Sequence, residues 1–65
     1  MSIVVTRRKE LKWSQDKIAK KINISRQYYN EIENGKRTPS VKIAKELADL
    51  LGISWTIFFD KSVNK

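Results

Sequence analysis

The sequence predicts an all-α fold of five short helices, and two kinds of observation support this prediction. Serine, which often caps the N-terminus of a helix, precedes four segments in which apolar residues recur at helical spacing, at Ser14, Ser25, Ser40 and Ser54. Glycine, which often follows the C-terminus of a helix, comes after two of these segments, at Gly35 and Gly52. A first helix is expected before them, from about Ser2 to Leu11.

The stretch from Ser14 to Gly35 has the form of two short helices with a tight turn between them. In the first of these helices Ile18, Ala19 and Ile22 form an apolar stripe, and the small Ala19 lets another helix come close. Asn23 follows, and asparagine enters the left-handed backbone region more readily than most residues. A sharp reversal of the chain is therefore expected at Asn23.

The second helix of this stretch separates apolar from polar side chains. At about 100° per residue, one half of the cylinder carries Tyr28, Tyr29 and Ile32. The other half carries Arg26, Gln27, Asn30 and Glu31. Arginine can bind guanine through O6 and N7, glutamine can bind adenine through N6 and N7, and asparagine or glutamate can contact neighbouring bases. The outward half therefore has the side chains that read base edges in DNA.

Composition limits the classes of function. The chain has 65 residues with no cysteine and no histidine, so we expect one small domain without disulfides, thiolate zinc sites or catalysis by cysteine or histidine. A formal charge of +7 favours a polyanionic partner, first of all nucleic acid. The acids are spread among basic neighbours without metal-ligand spacing, so no enzyme, metal or cofactor is expected. No segment is apolar enough for a signal peptide or a membrane span, which predicts a cytoplasmic protein without a membrane partner.

Two features leave alternatives open, and a third does not. Arg8 lies on the otherwise apolar face of the first helix, where its head either reaches water or forms an internal ion pair with Glu33. Lys36 and Arg37 are either solvated loop charges or contacts to DNA phosphates. Trp13 is expected to fill the core between the first two helices.

The last two helices supply apolar surface. In the fourth helix the inward face is expected to consist of Val41, Ala44, Leu47, Ala48 and Leu51. The last helix carries four large apolar residues that cannot all point inward at 3.6 residues per turn, namely Trp55, Ile57, Phe58 and Phe59. Either the polar tail of residues 60–65 folds over the excess, or a partner chain covers it, and self-association through this surface is favoured.

Several residues together resemble the helix-turn-helix domains of phage repressors and Cro proteins, the XRE-type regulators. The resemblance extends from about Val4 to Phe59, and it is carried by Ser14-Gln15, Ile18-Ala19, Ile24-Ser25, Tyr29, Ile32-Glu33-Asn34-Gly35, Pro39-Ser40 and Leu51-Gly52-Ile53-Ser54. It implies a five-helix, lambda-repressor-like DNA-binding domain over residues 1–59, in which the helix from Ser25 to Asn34 enters the major groove.

The resemblance also implies roles for individual residues. Base reading is expected of Arg26 and Gln27, with Asn30 and Glu31 beside them. Contacts to DNA phosphates are expected of Gln15, Tyr28, Asn34, Lys36 and Arg37. An internal ion pair of Arg8 with Glu33 is implied, and a dimer interface is expected to include Trp55, Ile57 and Phe58. The chain departs from the family at Lys12 and Asn23, where glycine is common.

These expectations favour a sequence-specific regulator of transcription, a repressor, that binds a palindromic double-stranded DNA operator as a homodimer. Such a protein would be cytoplasmic and associated with the nucleoid when bound. The alternative is an antitoxin or accessory module, in which the apolar surface of the last helix binds a protein partner and DNA contact is secondary.

Overall fold

A computed structural model of the chain describes residues 2–59 and confirms the all-α fold. Four α-helices are followed by one turn of 3-10 helix, and the described residues contain no strand. The elements are α1 (Ser2–Glu10), α2 (Gln15–Lys21), α3 (Arg26–Glu33), α4 (Val41–Leu51) and the 3-10 helix (Trp55–Phe58). The tail predicted for residues 60–65 lies outside the described part of the chain.

The predicted serine caps fix where three α-helices begin. The hydroxyl oxygens of Ser14 and Ser25 each accept a hydrogen bond at 3.0 Å, from the backbone N–H of Lys17 and Tyr28. Ser40 does the same for α4, at 3.2 Å. Each bond satisfies one of the backbone donors that a helix leaves unpaired at its first turn, so these boundaries follow from local chemistry.

The hydrophobic core receives side chains from all the elements. Its fully or nearly fully buried members are Val4, Ile18, Ala19, Ile22, Tyr29, Ile32, Ala44, Leu47, Leu51 and Phe58. Helix α2 packs on α3, the 3-10 helix packs on α4, and α1 contacts both α3 and α4. Helix α1 therefore connects the helix pair that carries the candidate DNA-binding residues to the supporting pair.

Two connections use left-handed backbone conformations at residues other than glycine. Asn23 has a φ of 59°, which confirms the reversal predicted between α2 and α3. Lys12, between α1 and α2, has a φ of 61°. The Cβ atom makes this conformation unfavourable by about 1–2 kcal/mol for most residues, and asparagine tolerates it better than lysine does. The family's frequent glycine at both positions therefore has a conformational reason here.

Arg7 supports the C-terminus of α4, a role that the sequence analysis did not predict. Its Nε donates a hydrogen bond to the main-chain oxygen of Leu51 at 2.8 Å. The last carbonyls of a helix lack intrahelical donors and carry partial negative charge, so a guanidinium is favourable there. The contact joins α1 to the end of α4.

Three expectations about apolar side chains were wrong. Val41, expected on the inward face of α4, is 50% exposed. It is the first residue of α4, so the helix has no preceding turn to cover it. Trp13 is half-buried against the core and does not fill it. The last helix is a single 3-10 turn, and it buries Phe58 to 3% exposure while Phe59 is 37% exposed. Phe58 is therefore a core residue and is unavailable for the dimer interface in which we expected it.

The contrast between the last two phenylalanines predicts unequal effects on stability. Replacing buried Phe58 with alanine should lower the free energy of unfolding by about 3–5 kcal/mol. A domain of this size has roughly 3–10 kcal/mol in total, so F58A should be largely unfolded at 37 °C. F59A should cost about 1–2 kcal/mol, because its ring loses less buried area. Urea unfolding followed by circular dichroism measures both, and equal effects would contradict the assigned burial.

Candidate nucleic-acid interface

The outward face of α3 begins with two exposed polar side chains. Arg26 and Gln27 form the first turn of the helix, directly after the Ser25 cap. The opposite face holds Tyr29 and Ile32, which are buried. Among residues 2–59, Arg26 has no side-chain hydrogen bond or ion pair, so its guanidinium retains its full set of donors for a ligand.

A buried carboxylate anchors the inner side of α3. Glu33 is 5% exposed, and its Oε2 accepts hydrogen bonds from Arg8 Nε and from the Tyr29 hydroxyl, each at 2.7 Å. Its Oε1 accepts from Gln15 Nε2 at 2.8 Å. Arg8 Nη1 also donates to the main-chain oxygen of Trp13 at 2.8 Å. Of the two alternatives for Arg8, the structure therefore contains the internal ion pair.

Hydrogen bonds extend this network from Glu33 to the surface. Gln15 Oε1 accepts from Asn30 Nδ2 at 3.2 Å, and Asn30 Oδ1 accepts from Asn34 Nδ2 at 3.0 Å. Asn30 is consequently half-buried, with one donor and its acceptor already engaged within the protein. The structure thus brings three predicted contact residues into one connected series that starts at a buried charge.

The network shifts the pKa values of its members in opposite directions. Burial acts to raise the pKa of Glu33, but hydrogen bonds from Arg8, Tyr29 and Gln15, together with the Arg8 charge, outweigh it and leave the pKa below its ordinary value. The hydrogen bond to Glu33 raises the pKa of Arg8. Burial, followed by the hydrogen bond to Glu33, raises the pKa of Tyr29. At neutral pH the network therefore consists of a carboxylate, a guanidinium and a neutral phenol.

A second cluster lies on the exposed side of α3. Arg37 Nε donates to Glu31 Oε1 at 2.7 Å, and Arg37 Cζ lies 5.4 Å from the centroid of the Tyr28 ring. These three side chains line one surface cleft together with Ser25 and Gln27. The hydrogen bond to Arg37 is the main reason that the pKa of Glu31 is lowered, and the same bond raises the pKa of Arg37.

The turn after α3 explains why Arg37 reaches Glu31. Gly35 has a φ of 74°. Its N–H donates to the main-chain oxygen of Ile32 at 3.1 Å, and the N–H of Lys36 donates to the main-chain oxygen of Glu31 at 2.8 Å. This pair of bonds is the Schellman motif, which ends a helix by folding the chain back over its last turn. The loop residues Lys36 and Arg37 therefore lie beside α3, and Lys36 is exposed.

The remaining predicted site residues belong to neither cluster. Trp55 is 37% exposed, lies under Lys45 Nζ at 5.0 Å from its ring centroid, and makes an edge-on contact with Phe59 at 5.9 Å. Ile57 is half-buried. We call the side chains of Trp55, Ile57 and Phe59 the apolar patch.

Helix α2 carries a basic surface that was not predicted from the sequence. Lys17 Nζ and Lys21 Nζ lie 5.4 and 5.1 Å from the centroid of the Trp13 ring, within the range of cation–π attraction. The signal was available, because two lysines four positions apart follow an aromatic residue. Lysine side chains of α2 therefore cover part of the Trp13 ring, which also packs against the core.

A family model described as helix-turn-helix matches residues 6–58, a span that holds both polar clusters and most of the apolar patch. The chain belongs to the helix-turn-helix family. Within it, the resemblance to the Cro/C1-type, or XRE, regulators is confirmed by the relatives.

Two curated proteins illustrate the relationship of this helix-turn-helix domain. The chain is 45% identical over 58 residues to an uncharacterized HTH-type transcriptional regulator, YqaF, of Bacillus subtilis (strain 168), covering 89% of this chain and 76% of the relative. It is 32% identical over 56 residues to the ImmF control region 10 kDa protein of Bacillus phage phi105, covering 86% of this chain and 62% of that protein. No solved structure gives a significant match.

Two further observations concern only residues 2–59. None of the helices there is both long and apolar enough to cross a bilayer. Nor do three or more potential metal-ligating side chains group together in that part of the chain.

The buried carboxylate predicts how the stability of the helix-turn-helix domain depends on pH. Because the pKa of Glu33 is lower in the folded chain than its ordinary 4.5, its contribution is complete above pH 4.5 and is lost as pH falls through the folded pKa. The free energy of unfolding, measured in urea, should therefore fall on acidification below pH 4.5. E33Q should be about 3–5 kcal/mol less stable at pH 7, because Arg8 loses its buried partner.

The exposed acid Asp49 provides the control for this prediction. D49N should change the free energy of unfolding at pH 7 by less than about 0.5 kcal/mol. A wild-type protein whose stability does not change below pH 4.5 would contradict the assigned role of Glu33.

Proposed function

We propose that this protein is a transcriptional repressor that binds a palindromic DNA operator as a homodimer, with α3 in the major groove. The observation that carries this proposal is the exposure of Arg26 and Gln27 at the start of a helix whose inner side is anchored through Glu33. The major groove is wide enough to admit an α-helix, and it presents a different pattern of donors and acceptors for each base pair. Membership of the helix-turn-helix family supports the same docking.

The residues of α3 have graded roles in this proposal. Arg26 contacts guanine, because its guanidinium is exposed and without a protein partner among residues 2–59. Gln27 contacts the next base pair, where its amide suits adenine. Asn30 and Glu31 border this pair of readers, and both already have hydrogen-bond partners in the protein. Specificity therefore depends mainly on Arg26 and Gln27.

Contacts to the DNA backbone surround the readers. Gln15, Tyr28, Asn34, Lys36 and Arg37 contribute them in this proposal. Such contacts fix the register of the helix in the groove without selecting a sequence. With a formal charge of +7, the affinity should fall steeply as salt rises, because binding releases counterions from the DNA.

The apolar patch is the proposed dimer interface. Two aromatic rings that are each 37% exposed, together with the half-buried Ile57, are a large apolar area for a domain of 65 residues. Burying it against the same patch of a second copy gives a two-fold arrangement, which matches a palindromic site. Repression then requires only occupancy of the operator, and the protein acts in the cytoplasm at the nucleoid.

Selection from a pool of random duplexes tests the proposed function. At about 0.15 M salt, where charge attraction alone is weak, the wild type should enrich a palindrome with half-sites about 10 base pairs apart. R26A should lose about 1–3 kcal/mol of discrimination at one base position and leave the other positions unchanged. Recovery of DNA with no shared motif would contradict sequence-specific binding.

Lys36 provides the matched control for Arg26, since both are exposed cations and only one belongs to α3. K36A should weaken binding to all sequences by the same factor and reduce the salt dependence. If R26A and K36A changed binding in the same sequence-independent way, the assignment of Arg26 as a base reader would be wrong.

The apolar patch predicts a second result. W55A should weaken self-association and lower the affinity for a palindromic duplex more than for a single half-site, because only the palindrome uses both subunits. Sedimentation measures the association, and I3A is the control because Ile3 is 41% exposed on α1. A wild type that remains monomeric at every concentration would favour a protein partner for the patch, as in an antitoxin or accessory module.

A further inference from the structure

Glu31 is unexpected on a surface that faces DNA. It is half-buried on the outward side of α3, and the other acid of the helix, Glu33, is buried. A carboxylate close to phosphates is repelled by them, and it also loses water when DNA covers it. A base contact of Glu31 would have to outweigh both effects, so the surroundings of its carboxylate decide its role.

The carboxylate has a fixed cationic partner. Arg37 Nε donates to Glu31 Oε1 at 2.7 Å, along one edge of the guanidinium. The Tyr28 ring lies 5.4 Å from Arg37 Cζ. The Schellman turn at Gly35 holds the backbone of the loop against the end of α3, which brings Arg37 within reach of both groups.

The ion pair of Arg37 with Glu31 contributes little to the stability of the fold. The side chain of Arg37 is 56% exposed and that of Glu31 is 27% exposed. Ion pairs in such positions contribute little to folding, because water already solvates both charges. When DNA displaces that water, the same pair becomes more important, because the dielectric screening falls.

The guanidinium also retains donors for a ligand. Its Nε is used by Glu31, while its two Nη groups have no hydrogen bond to residues 2–59. These two groups form the fork that binds phosphate oxygens in a bidentate manner. Glu31 and Tyr28 therefore hold the guanidinium in place and leave its phosphate-binding end unoccupied.

We propose, on the basis of the docking of α3 given above, that Tyr28, Glu31 and Arg37 act as one phosphate-binding unit. Arg37 contacts a DNA phosphate through its Nη groups, and Tyr28 supports the face of the guanidinium. Glu31 is a positioning residue that orients Arg37 and is neutralised by it. Glu31 then acts through Arg37 and does not select a base, in contrast to the role expected from the sequence.

This unit predicts strongly coupled effects on DNA affinity. R37A removes a phosphate contact and also leaves the Glu31 charge uncompensated at the DNA surface. It should weaken binding about 30-fold in the wild-type background but only about 3-fold in the E31Q background, a coupling of about tenfold. K36A is the comparison, because Lys36 acts on Glu31 through its charge alone, without the side-chain hydrogen bond that Arg37 makes. Its coupling with E31Q should be at most about threefold, well below that of R37A, because the charge effect is the smaller one.

Fluorescence anisotropy with two probes measures this cycle. The first probe is a labelled pool of random duplexes of about 25 base pairs, and the second is the duplex that the wild type enriches. Thermal unfolding of all variants should give nearly equal midpoints, because the exposed pair contributes little to the fold. Replacing Tyr28 with leucine should reduce the loss caused by R37A, because the guanidinium then lacks its aromatic support.

The outcomes separate this proposal from the general function. Additive effects of R37A and E31Q on both probes would overturn the phosphate-binding unit. So would a loss of preference at one base position in E31Q that persists in the R37A background, because Glu31 would then read a base. Coupling on the random pool without any enriched motif would support the unit and contradict sequence-specific repression. A wild type that does not bind either probe would overturn both.

Discussion

The position of α3 depends on the buried carboxylate of Glu33. An ionised group in the interior is unfavourable unless opposite charge and hydrogen bonds compensate for the lost water. Here the compensation comes from Arg8 on α1, Gln15 on α2 and Tyr29 on α3 itself. Because these donors belong to three helices, they reach the carboxylate together only when the helices are docked in one arrangement. The cost of burying the charge therefore selects the relative positions of α1, α2 and α3.

The same network orients polar groups nearer the surface. The side-chain nitrogen of Gln15 donates to Glu33, so its oxygen is directed to Asn30 and accepts a hydrogen bond from it. The side-chain oxygen of Asn30 in turn accepts a hydrogen bond from Asn34. Side chains held in this way lose less conformational freedom on binding a ligand than free ones. Arg26 lies outside the network, so it would lose more conformational freedom in the proposed contact with a base. The surface thus combines amides held by the network with the exposed Arg26 guanidinium, and the network determines where the proposed reader is presented.

Predictions from the sequence succeeded where local chemistry decides the structure. Ser25 and Gly35 mark the two ends of α3, because a serine cap and a left-handed glycine act on adjacent backbone groups. Asn23 allows the turn before α3, because its own backbone adopts the left-handed conformation. Arg8 was left with two alternatives, water or an ion pair with Glu33, because an arginine stem can pack on an apolar face in both cases. The burial of Phe58 and the Arg7 contact with α4 could not be predicted, because they depend on a 3-10 turn and on tertiary packing.

Two arginine–glutamate pairs flank α3, and their surroundings give them different functions. The side chains of Arg8 and Glu33 are 12% and 5% exposed, so breaking that pair leaves a charge without water and affects the fold. The side chains of Arg37 and Glu31 are 56% and 27% exposed, so the free protein loses little when they separate. In the proposed complex, DNA would reverse this ranking for the second pair, because it would remove water from an acid placed close to phosphates. Identical chemistry therefore stabilises the domain on the inner side of α3 and, in the proposed complex, serves DNA binding on the outer side.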